Sequence, residues 1–297
     1  MNQESLDRAL KEAISQATSS ADPDDDYWRA VVALRASGAT TSTLASLSGS
    51  PDGRLRALAV DVLRVPPSEE ERARTLSHLR LLLQREDDSH VLASLAAAFN
   101  ELAPPDLVDL VLPLATSTDA DLRHAVAVAL GGSRDARAIT AMILLSSDPD
   151  ETVRNWAVFG LGSQLGEPER ELFDTDEIRS ALAMRLVDPH EETRAEATLG
   201  LAMRGDLRAI PIIRQELGGR TSWCHYVEAS YYLASDELCP ALREFSDGLS
   251  AEDRAFWEKR PRFPLSSAIK ACCEKGGKPV ERGEVHGTKH DPSRGNE

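Results

Sequence analysis

The sequence predicts an all-α protein, a solenoid of stacked helical pairs, and three observations carry that expectation. First, the stretch from Asp148 to Leu165, DPDETVRNWAVFGLGSQL, opens with carboxylates suited to a helix start and then places Val153, Ala157 and Leu161 on one face. Second, the same pattern recurs along most of the 297 residues. A helix this short cannot bury its stripe alone, so the repetition supplies its neighbours. Third, no run alternates β-branched or aromatic residues with polar ones at period two, as strands would. Aromatic residues make up only 5% of the chain, against 41% hydrophobic in all, which suits helices meeting through small side chains.

Taken in order, the chain opens with an N-terminal helix expected over residues 1–20. That segment, MNQESLDRALKEAISQ and onward, is amphipathic and lacks the apolar core of a signal peptide. The repeat array is expected over 21–260. A frame asking for a small or apolar residue three positions on, and Leu or Phe at seven, fits at Tyr27, Arg56, Leu92, Arg123, Arg154, Arg194 and Tyr226. The intervals run from 29 to 40 residues, which gives about seven helical pairs. The intervening helices are expected over 42–47, 69–84, 106–115, 136–145, 176–186, 210–217 and 236–245. Pro211 belongs in a first turn, where its missing N–H is harmless, whereas Pro113 sits inside a helix and should shorten or kink it. Gly162 should stop its helix by a left-handed turn. After the array, Ser250 with Asp253 three residues on caps one more short helix. A C-terminal segment follows over 261–275. Residues 276–297, poor in apolar side chains and containing several Gly and Pro, are expected to be a disordered tail.

The signature D-x-x-x-R-x-x-A-x-x-x-L-G, read at Asp150, Arg154, Ala157, Leu161 and Gly162, resembles the HEAT-like repeats first grouped with phycobilin lyases. The resemblance runs from about Tyr27 to Phe245 and weakens at Tyr27, Leu92 and Tyr226, where the arginine is replaced. It implies a right-handed α-α superhelix whose second helices line a concave face. It also implies a protein-binding scaffold, with a lyase that holds a tetrapyrrole or another extended small molecule as the alternative.

Composition narrows the partners. A net charge of −15 repels a nucleic-acid backbone, and a DNA-lesion groove would need to be basic. No stretch nears the roughly 18 apolar residues of a membrane span, so a soluble, cytoplasmic protein is expected. Cys224, Cys239, Cys272 and Cys273 form no dense framework and suit reduced thiols. Cys272, Cys273, His286 and His290 echo a zinc module, but adjacent cysteines do not match its spacing. A single His190-Glu191 pair falls short of the repeated pairs of HEAT-like di-iron hydroxylases. The pattern thus nominates no catalytic residue, no metal site and no cofactor.

Two sets of residues remain. Arg56, Arg123 and Arg154 each follow an acid by four positions, at Asp52, Asp119 and Asp150, which predicts Asp–Arg contacts within each turn. Arg194 has His190 there instead and must look to Glu191 or to a neighbouring unit. On the second helices the frame leaves positions +1, +2 and +5 facing the groove. Trp28 and Leu58 fall there, then His124 and Val128, then Asn155, Trp156 and Phe159. Glu196 and Leu199 follow, with Glu228 and Tyr231 last. An apolar, aromatic strip rimmed by acids predicts a protein or peptide partner that is basic at its rim.

Overall fold

A single hydrogen-bonding device recurs at the turns and fixes where the second helices begin. At each turn an acid or serine accepts the N–H of the cap residue two positions on: Ser50 for Asp52, Ser117 for Asp119, Asp148 for Asp150 and Asp188 for His190. The cap residue then accepts from the first free N–H groups of its helix, as Asp119 does from Asp121 and Leu122 at 2.9 and 3.2 Å. The frame arginine closes the turn from inside. In all four cases its Nη1 donates to the carbonyls six and five residues back, at 2.8–3.2 Å.

The computed structural model describes residues 10–12, 14–15, 23–166, 172–219, 224–260 and 263–274. Most of the expected N-terminal helix and the whole expected tail lie outside the described residues, as do His286 and His290. The described residues form helices and no strand. In chain order these are α1 (Pro23–Ala36), α2 (Thr41–Ser48), α3 (Gly53–Leu63), α4 (Glu69–Leu83), α5 (Ser89–Leu102) and α6 (Leu107–Val111). Next come α7 (Ala120–Leu130), α8 (Ala136–Leu145), α9 (Glu151–Leu161), α10 (Asp176–Met184), α11 (Glu191–Ala202) and α12 (Ile210–Gly218). The last are α13 (Cys224–Leu233), α14 (Cys239–Asp247), α15 (Ala251–Glu258) and α16 (Leu265–Cys273).

The chain divides into two units, Met1–Leu161 and Gly162–Glu297. In the first, the second helices α1, α3, α5, α7 and α9 stack one on the next, and α2, α4, α6 and α8 cover one side of that layer. Leu58, Leu95, Phe99, Val126 and Leu130 are wholly or almost wholly buried between the layers and between neighbours within the stack. The second unit repeats the plan, with α11, α13 and α16 as one layer and α10, α12 and α14 beside it.

Pro113 acts as expected: α6 ends at Val111 and a 3-10 turn, Leu112–Leu114, takes over. Pro211 stands in the first turn of α12. Gly162 does not work as a left-handed stop. Positive φ angles among the glycines occur at Gly38, Gly132 and Gly205. Gly162 is instead a contact surface, because a Cβ on Gly200 would lie 2.7 Å from its Cα. The cysteines also depart from expectation. Cys239 and Cys273 are joined in a disulfide, whereas Cys224 and Cys272 are free. The first residue of α14 and the last of α16 meet because those helices pack together, and sequence spacing does not report that proximity.

Candidate functional site

The arginine ladder is structural, and it runs between neighbouring repeats rather than within turns. Asp52, Asp119 and Asp150 are occupied in capping their own helices. Arg56 reaches Glu86 instead, Nε to Oε2 and Nη2 to Oε1, each at 2.8 Å. Arg123 reaches Asp148 in the same forked manner at 2.7 Å. Arg194 comes within 3.9 Å of Glu216, so its partner is on the following helix α12 and not Glu191. These guanidiniums are committed to packing and offer no anion site.

The open face of the second-helix layer holds the candidate site. In the first unit it is indented by a cavity of about 610 Å³. The indentation has a simple cause. In the middle of α5 the lining positions are the small residues Ala93, Ser94 and Ala97, with His90, Asn100 and Glu101 of the same helix lining the hollow toward its ends. Trp28 of α1 stands to one side, 46% exposed, and His124 and Val128 of α7 stand to the other. The hollow lies over the middle of α5, where the side chains are small.

Polar groups gather at its floor and rims. Tyr27 Oη donates to Asp61 Oδ2 at 2.5 Å, and Ser94 Oγ reaches the same oxygen at 3.3 Å. Burial pushes the Asp61 carboxyl up, and the hydrogen bond from Tyr27 and the charge of Arg64 only partly offset it. The Arg54 guanidinium lies 5.7 Å from the centre of the Tyr27 ring, and that of Arg64 lies 5.4 Å from Trp28. His124 packs its ring edge-on to Trp156 at 5.7 Å, and burial pulls its pKa down, which favours the neutral ring. Phe159 continues the run, 5.7 Å from Trp156.

Of the residues expected to face a groove, Trp28, His124 and Val128 line this cavity. Asn155, Trp156 and Phe159 are half-buried on α9. Leu58 and Leu199 are not groove residues: both are buried in the core. Leu58 is covered by α1 and α5 stacked on either side of α3, and Leu199 lies on a helix packed against α13, contacts that a single-helix frame does not count. Glu196 is buried too, accepting from Ser163 Oγ at 2.7 Å and lying 3.0 Å from His225 Nε2. Glu228 and Tyr231 are half-buried, Tyr231 against Phe263 at 4.9 Å. Sequence reasoning missed Tyr27, Ser94, Arg54 and Arg64 as parts of one site. The available signal was negative: at the Leu92 repeat the groove positions hold only Ala and Ser. Among the described residues no group of His, Cys, Asp or Glu could hold a metal ion.

A family model described as HEAT repeats matches residues 76–162, the stretch from α4 to the end of α9. Over that stretch the chain is built of HEAT-like repeats. Protein YibA of Escherichia coli K12 is 31% identical over 143 residues, which is 48% of this chain and 49% of YibA, and its O157:H7 counterpart gives the same figures. The chain thus spans about half the length of the curated relatives it matches. The crystal structure of YibA superposes with a TM-score of 0.72 at 19% identity, covering 92% of this chain and 97% of that one. An engineered protein reaches 0.50 at 17% identity, over 92% and 80%. At these identities the structures show a shared fold of stacked HEAT-like pairs.

Proposed function

We propose that the protein is a non-enzymatic interaction scaffold that binds a protein or peptide in the hollow on the second-helix layer of its first unit. The observation that carries this reading is the cavity over Ala93, Ser94 and Ala97, which is large enough for a side chain and flanked by Trp28, His124 and Val128. Aromatic and aliphatic walls around an open hollow are what a partner's anchor residue fills, and burying one such side chain contributes about 1.5–3 kcal/mol. Among the described residues no catalytic arrangement competes with it. His124 has an aromatic neighbour and no nucleophile in contact, and Ser163 donates to a carboxylate rather than to a base. Among the described residues no helix is long and apolar enough to cross a membrane; the compartment we propose is the cytoplasm.

A display selection of random peptides against the full chain tests the reading. Ala97→Trp fills the hollow from its floor and should weaken the selected peptides at least tenfold while leaving the melting temperature near that of the native protein. Unchanged binding by a folded Ala97→Trp variant would refute the site. A tetrapyrrole co-purifying with the native chain and lost on Ala97→Trp would turn the assignment to the lyase alternative.

A further inference from the structure

Asp61 is a buried carboxylate whose hydrogen bonding is half complete. The residue is 5% exposed, yet it lines the hollow. Both hydroxyls that reach it, from Tyr27 and Ser94, end on Oδ2. No described residue donates to Oδ1. Arg35 Nη2 comes close, but it donates to the Asp61 backbone carbonyl at 2.5 Å and not to the carboxylate. A carboxylate offers about four acceptor sites, and Oδ1, which is not sealed off from solvent, presents its sites to the hollow, where a donor group of a partner can take them.

The surroundings say what arrives. Asp121 and Glu101 add negative charge at the two rims, so three carboxylates face two guanidiniums, Arg54 and Arg64, across the hollow. The chain as a whole carries −15. Both arginines lie against aromatic rings, which shows that Tyr27 and Trp28 already accept cations on their faces. The small side chains of Ala93 and Ala97 leave room for a straight aliphatic stem. We propose that the hollow takes a lysine or arginine side chain of a partner polypeptide, its cationic head on Asp61 Oδ1 and its methylenes over Ala93 and Ala97.

This rests on the scaffold reading above, and the test keeps the two apart. In the peptide selection against the full chain, one position should be enriched in Lys or Arg. Replacing an arginine there by citrulline, which keeps the shape and removes the charge, should weaken binding at least tenfold. Asp61→Asn should bring the arginine and citrulline peptides to similar affinity. Peptides that bind, fail against Ala97→Trp and show no basic preference would overturn the cation and leave the hollow as a peptide site. Enrichment in Asp or Glu would reassign it to an anionic anchor on Arg54 and Arg64. If no peptide binds at all, the scaffold reading falls and the cation with it. Should Asp61→Asn not fold, the citrulline comparison on the native chain decides alone.

Discussion

Arg123 grips Asp148 with two parallel hydrogen bonds, Nε to Oδ2 and Nη2 to Oδ1, each 2.7 Å long. The same Asp148 accepts the N–H of Asp150, so one carboxylate ties a helix from the previous repeat to the turn that starts the next. Arg123→Ala leaves that carboxylate buried without its cation and should cost about 2–4 kcal/mol, read from denaturant midpoints. A loss below about 0.5 kcal/mol would place the pair among ordinary surface contacts. The pH dependence follows. Burial alone would raise the Asp148 carboxyl, but the hydrogen bonds from Arg123 hold it below the ordinary aspartate range. A depressed carboxylate contributes stability above its unfolded pKa, about 3.9, and loses it as the pH falls through the folded value. Asp148→Asn should flatten that acid limb.

Gly200 gives a steric prediction. An added Cβ would meet Gly162 Cα at 2.7 Å and a Leu182 methyl at 3.1 Å, and the first of these is backbone that cannot swing aside. Gly200→Ala should destabilise by about 1–3 kcal/mol, the range for overpacking, despite the better helix propensity of alanine. A variant as stable as the native chain would mean that the two backbones separate freely.

His225 and Glu196 predict the opposite pH behaviour to Asp148. Burial lowers the His225 pKa, but the hydrogen bond it donates to Glu196 and the charges of Glu196, Glu228 and Glu192 outweigh it and leave it raised. A raised histidine stabilises fully below its unfolded pKa of about 6.5 and loses that contribution as the pH climbs through the folded value. The gap in melting temperature between the native chain and His225→Gln should therefore be widest near pH 6 and shrink toward pH 8. A gap that grows with pH would contradict the sign.

The Cys239–Cys273 bond spans a sequence separation of 34 residues. By chain entropy a loop of this size should contribute about 3–4 kcal/mol, so a reductant should lower the melting temperature of the native chain but not of Cys273→Ser. Unreduced, denatured protein should titrate two thiols, those of Cys224 and Cys272. In a reducing cytoplasm the pair would be open, so alkylation at the moment of cell lysis sets the expected compartment against the observed bond. Four free thiols would keep the cytoplasmic expectation.

The helices were legible because capping chemistry and period are local properties. Ser68, Asp119 and Asp135 cap the helices they precede, and Pro113 ends α6 where its ring forbids continuation. What sequence did not report was contact between repeats. Arg56 looked bound to Asp52 four residues away, but that carboxylate accepts from Arg54 N–H and the guanidinium crosses to Glu86. Leu58 looked outward on its own helix and is covered by the next ones. The site was hardest of all, because a search for large side chains passes over the middle of α5, where the hollow is floored by Ala93, Ser94 and Ala97.

That gap has an evolutionary meaning. Ala93 and Ala97 touch the hollow without holding the layers together, a task left to Leu95 and Phe99 on the other side of α5. Enlarging or reshaping those two residues would change what fits while the stack beneath stays as it is. If the hollow is the proposed peptide site, a lineage carrying this architecture could trade one partner for another through two codons on a single helix.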